Sequence, residues 1–159
     1  MATSARLVNV QNGIEKNLDG MINRSKSFRS FLQSYVYPKY QNLQRERWMT
    51  EGESQNDKWP ALNAKYAEWK RRRFAAYDGS GEKMLIATGK LVKSVIGPGP
   101  GHYKLIDDKS LTVGTRVDYA KYVAQKRSMF KFKPEDIAEI KRAVGEYIRF
   151  ANFKKFVGR

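Results

Sequence analysis

From Ile14 the chain carries apolar or small residues at alternating spacings of four and three: Ile14, Leu18, Met21, Ser25, Phe28, Leu32 and Tyr35. That period puts them on one stripe of an amphipathic helix. Gly20 weakens the helix interior and is a place for it to split. Pro38 predicts an end or a kink, because proline lacks the N–H and clashes with the preceding turn. A second helical piece, "KYQNLQRERW", follows to Trp48, and upstream "ARLVNV" at 5–10 reads as a short strand. The polar run "TEGESQND" at 50–57 has no periodicity and predicts a loop. Pro60 suits the first position of the next helix. There Leu62, Tyr66 and Trp69 form an inward face, while Lys65, Glu68, Arg71 and Arg72 are solvated. This helix is expected to end near Tyr77, before the turn residues "DGSG" at 78–81.

In "MLIATGKLVKSV" (84–95) an apolar run leads into a short helix. Thr88 is its expected N-cap, with a hydroxyl able to accept from an amide one turn on. Leu91, Val92 and Val95 point inward, Lys90 and Lys93 outward, and Ser94 can bond back within the helix. "GPGPGH" (97–102) is a turn-rich loop, and a β-hairpin follows over about 103–116. "VDYAKYVAQ" (117–125) predicts a short helix, and "MFKFK" (129–133) alternates like a strand. Pro134, Glu135 and Asp136 open a final helix over about 134–151, whose apolar face is Ile137, Ile140, Val144, Ile148 and Ala151. The fold class is therefore α+β: N-terminal helices and a small antiparallel sheet packed by an amphipathic C-terminal helix. One domain over 1–159 is expected, with a helical arm at about 12–49, a core at about 57–151 and a basic tail at 152–159.

Composition narrows what this fold can do. The chain has 159 residues, no cysteine and one histidine, His102. Disulfides, thiolate catalysis and cysteine-ligated zinc are excluded, and a reducing compartment fits. No apolar run is long enough to cross a membrane, and the N-terminus has no secretory core. Lys+Arg 31 against Asp+Glu 16 gives a net charge of +15, a field that attracts polyanions. The basic residues are dispersed ("KRRR" at 70–73, "KR" at 126–127, "KFK" at 131–133, "KR" at 141–142, "KK" at 154–155), whereas a sequence-specific DNA reader concentrates them on one element. Two readings of the charge stand at this point: a surface lying beside a polyanion or acidic partner, and a solvated basic surface.

Candidate chemistry fails on spacing. A P-loop needs G-x-x-x-x-G-K-[ST], but Met84 stands where the first glycine belongs and Leu91 follows Gly89-Lys90. The carboxylate pairs Asp107-Asp108 and Glu135-Asp136 fall in a turn and in a first helical turn, where acids serve local structure. "KYAEWKRRRF" interleaves aromatics with bases, as single-strand binders do, but the helical spacing assigns Tyr66 and Trp69 to the core. Neither a catalytic set nor a cofactor or metal site emerges, and a non-enzymatic protein is expected.

The ordered set "KWPALNAKYAEWK … KMLIATGKLVKSV … LTVGTRVDYAKYVAQ … FKPEDIAEIKRAVGEYI" resembles the phage virion-morphogenesis family. This comprises the Mu-type tail-completion proteins and the related neck and tail-component proteins of long-tailed phages. The matching positions are Trp59, Leu62, Tyr66, Lys70, Leu85, Thr88, Gly89, Leu91, Ser94, Val113, Gly114, Tyr119 and Ala120, and the resemblance covers about 59–150. After Y-A the family commonly has a histidine- or glycine-containing turn, where this chain has "KYVAQKRSMFKF". The resemblance implies a non-enzymatic head–tail joining protein of the virion: a neck or tail-completion subunit, or alternatively a tail terminator. Such subunits form hexameric or dodecameric rings between the portal-connector stack and the tail tube or its terminator. The resemblance also implies assembly in the host cytoplasm and non-specific contact with genomic DNA in the channel. A nucleic-acid-binding module using the basic surface is the alternative that composition itself supports.

Overall fold

A computed structural model describes residues 17–75 and 83–150. The strand expected at 5–10, the start of the helical stripe at Ile14, Tyr77 and the turn expected at 78–81, Ala151 and the basic tail lie outside the described residues. The fold is α+β, with six helices and a two-stranded antiparallel sheet among those residues.

Helix α1 covers residues 17–26. The break comes at Ser27 and Phe28, and the helix runs through Gly20. A second helix, α2, is continuous over three stretches: an α turn Arg29–Phe31, a π segment Leu32–Val36, and an α segment Tyr37–Met49. Pro38 neither ends nor splits it. The Tyr37 amide donates five residues back to Leu32 O, and this wider turn makes room for the proline ring just after it. The π turn also shifts the helical phase. The residue buried at this point is Phe31, while Leu18 and Ser25 of the expected stripe are exposed.

The polar run after α2 is a tight, partly buried turn around the 3-10 segment Glu53–Gln55. Gly52, at φ +90°, donates to Arg47 O and accepts from Gln55 and Asp57. Helix α3 (Ala64–Arg73) starts at an Asn63 cap, whose side chain accepts from the Lys65 amide at 3.0 Å. Pro60 therefore lies in the approach to the helix, outside its first turn, and α3 ends at Arg73, ahead of Tyr77.

Helix α4 (Lys90–Ile96) packs on both strands of the hairpin, β1 (His102–Ile106) and β2 (Leu111–Thr115). The turn closes through Asp107 N–H to Ser110 O and Ser110 Oγ–H to Asp107 Oδ2. From α2, Tyr40 donates to Val95 O at 2.8 Å, and Gln41 donates to Ile96 O and Gly97 O at 3.1 Å. These bonds satisfy carbonyls that the C-terminus of α4 leaves free. After β2 comes α5 (Ala120–Lys126), and then residues 127–133 run without a sheet partner. The strand-like alternation expected for "MFKFK" is not found: Met129 is buried, Phe130 and Lys131 are exposed, and Phe132 and Lys133 are half-buried.

The last helix, α6 (Pro134–Arg149), packs against Phe28, Phe31 and Tyr35 through Ala143, Val144 and Tyr147. Its Ile140 meets the sheet across an apolar cavity of about 370 Å³ that Leu111 and Val113 also line. Ile137, placed inward by the sequence pattern, is 45% exposed. Arg24 of α1 donates two hydrogen bonds, at 3.0 and 2.9 Å, to Ile148 O at the C-terminal end of α6. The principal core gathers Trp48, Trp59, Met84, Leu91, Val95, Val117, Ala120 and Met129. Trp48 and Trp59 meet edge to face at 5.2 Å.

Candidate functional site

An open cleft of about 410 Å³ lies between α3, the segment 83–89 and α5. One wall is Leu62, Tyr66 and Lys70, and the facing wall is Leu85, Thr88, Gly89 and Leu91. Tyr119, Val123 and Arg127 close it from α5. Most positions of the family-like set thus meet in one place, although they are far apart in the chain. The others do not line it. Trp59 and Ala120 are in the core beneath, and Ser94 lies on the buried side of α4. There Ser94 Oγ donates to Leu91 O at 2.7 Å, and it shares a hydrogen bond of 2.7 Å with Thr115 Oγ1. Val113 and Gly114 belong to β2, Gly114 opposite Tyr103 and Val113 opposite Lys104.

The α3 wall differs from the amphipathic reading. Tyr66 and Trp69 are 49% and 52% exposed, and Lys70 is the buried residue, at 2%. The helix starts at Ala64, and Leu62 packs against the principal core from the preceding loop. The Lys70 ammonium donates to Lys83 O. Burial lowers its pKa, and the neighbouring Glu51 opposes that shift. Glu51 Oε1 accepts from the Met84 amide at 2.8 Å, so the two side chains hold consecutive backbone groups at the entrance to the facing wall. Tyr66 and Trp69 stack at 5.5 Å with 28° between their planes, and Phe74 meets Trp69 edge-on at 5.8 Å.

The facing wall is set by two left-handed residues. Gly89, at φ +75°, is the N-cap of α4. Thr88 therefore sits one residue outside the cap, and its Oγ1 accepts from Lys90 N at 3.4 Å. Space is not what requires glycine here, since an added Cβ would meet only Lys93 Cε at 3.7 Å; the backbone angle requires it. Leu85 has φ +60°, an uncommon angle for a bulky residue and one found at sites the surrounding structure holds in place. On the third side, Arg127 donates through Nη2 to Pro60 O at 2.9 Å, and its buried Nε has no hydrogen-bond partner among the described residues. Tyr119, Val123 and Arg127 recur every four residues, a spacing that could have brought Arg127 to this face from the sequence. Lys70 stands in the same relation to Tyr66.

His102 is fully engaged elsewhere: its Nδ1 is 2.8 Å from Ser94 O and its Nε2 3.0 Å from Tyr37 OH. Among the described residues no group of three or more His, Asp or Glu side chains is arranged to hold a metal ion. None of the described helices is long and apolar enough to cross a membrane. Compared with protein-family models, curated proteins and solved structures, the chain matches none.

Proposed function

We propose that this chain is a structural subunit of a phage head–tail junction, built into a ring between the portal-connector stack and the tail. What supports the reading is the convergence of the family-like residues: segments around 62–70, 85–91 and 119 supply walls of one cleft. A chance scatter of short motifs has no reason to meet in space. The surface fits a protein that is covered on assembly. Leu18 and Ile22, one turn apart on α1, are both about half exposed and fit an apolar strip covered by a neighbour.

The test is a phage lacking this protein. A lysate with filled heads and finished tails lying unjoined supports the proposal. Normal infectious particles, together with a purified protein that stays monomeric and is missing from virions, contradict it.

A further inference from the structure

We infer that the cleft under α3 binds single-stranded nucleic acid, taking a base against the Tyr66–Trp69 stack and backbone phosphate against Lys70 and Arg127. This does not depend on the head–tail reading, since a lone subunit contains the whole cleft.

Three observations carry it. First, the cleft holds unfinished cationic chemistry. Lys70 is 2% exposed, and among the described residues its ammonium, with three donors, gives one hydrogen bond, to Lys83 O, with the Glu51 carboxylate nearby. Arg127 brings a buried Nε–H with no acceptor among the described residues, and Glu51, the acid near Lys70, is not among the residues lining the cleft. A buried cation whose donors are only partly matched is costly, and a bound anion lowers that cost. Second, Tyr66 on the cleft wall stacks with Trp69 beside it. Tyr66 and Trp69 lie near-parallel at 5.5 Å, and each is about half exposed, with no core packing that requires its full ring area. Third, the basic run Lys70 to Arg73 continues along the same helix, and Lys90 stands on the opposite lip.

The aromatic wall decides between anions. An acidic peptide needs cations but no flat π surface. A duplex keeps its base faces stacked inside. Single strands offer both an open base face and a phosphate, which is the pairing of groups found here.

The test uses the full chain, a labelled oligo(dT) of about 12 nucleotides, the same sequence as duplex, and an oligoglutamate peptide. Trp48 and Trp59 are 2% and 3% exposed, so Trp69 reports on binding through tryptophan fluorescence. The expected result is saturable binding of oligo(dT) at about 150 mM salt with Trp69 quenched, and weaker binding of the duplex. Trp69→Ala, at an exposed position, weakens it by about 5- to 150-fold. Lys70→Met reduces the salt slope by about 0.7. Lys109→Gln, on the hairpin turn, changes affinity less than about two-fold. Three results each overturn the inference: no saturable binding; equal loss from Lys109→Gln and Lys70→Met with Trp69→Ala silent, which marks a diffuse basic field; or preferential binding of oligoglutamate or duplex. Should Lys70→Met unfold the chain, Trp69→Ala and the ligand comparison still decide it.

Discussion

Arg47 has no solvent exposure, and the groups that hold it come from two distant stretches of chain. Its guanidinium donates to Asp57 Oδ2 at 2.8 Å, to Ser128 Oγ at 3.0 Å and to Lys131 O. Ser128 Oγ also donates to Asp57, so the turn after α2 and the segment before α6 are tied through one carboxylate. Asp57→Ala leaves a buried cation without its counter-charge. It should cost about 3 kcal/mol, measured by chemical denaturation. The same group sets an acid limit. The Ser128 hydrogen bond, with Lys131 and Arg47, holds the Asp57 pKa below its ordinary value, and a hydrogen bond from Lys39 does so for Glu139. Stability from both is complete above the ordinary carboxylate range and is lost as pH falls through it to the lowered values. Melting temperature should therefore drop on acidification, and Asp57→Asn should shrink that drop. At Gly52 the constraint is steric: a Cβ would lie 2.1 Å from Asp57 O at a φ of +90°. Gly52→Ala should destabilise by about 3 kcal/mol, at the large end of single-substitution effects.

Helix α4 is the element on which the cleft, the sheet and α2 all rest. Leu91 and Val95 are 3% and 0% exposed, while Lys90 is on the outside. Leu91→Asp should cost about 4 kcal/mol or more and leave no cooperative unfolding transition. Gly89→Val should be destabilised through its backbone angle, and Lys90→Ala should melt like the parent; all three are read by circular dichroism. This helix was legible in the sequence because apolar spacing and a Thr-Gly start agree, and only the cap moved by one residue. The hairpin and α6 were legible for similar local reasons, a polar turn between two apolar runs and a proline followed by two acids. What local pattern did not contain was phase set from outside. The break at Ser27–Phe28 separates α1 from α2, leaving Leu18 and Ser25 exposed while Phe31 is buried, and α3 turns Lys70 inward and Tyr66 and Trp69 outward. Of those two aromatics, expected in the core from their spacing, Tyr66 lines the cleft and Trp69 stacks beside it. "TEGESQND" looked like a linker because its order comes from long-range partners, Gln55 accepting from Lys133 N and Asp57 from Ser128 and Arg47.

At the scale of the molecule, two of the exposed apolar residues share one helix face. Leu18 and Ile22 stand one turn apart on α1, at 52% and 51% exposure, and Ile137 faces outward on α6. If these are covered in an assembly, Leu18→Glu with Ile22→Glu should leave the isolated fold within about 0.5 kcal/mol of the parent. The same pair should abolish higher-mass species in native mass spectrometry. The charge of +15 belongs to this scale too: dispersed over the surface, it favours a polyanionic or acidic neighbour without naming one, and the cleft is where that attraction gains shape. The central claim, that the chain is a ring subunit at the head–tail junction, is tested most directly by an electron-microscopy map of purified virions. The account predicts density between portal and tail that accepts this α+β fold in a closed ring of about six or twelve copies, as such junctions are symmetric assemblies. A map whose junction is fully explained by other chains, from virions in which this protein is not detected, would contradict it.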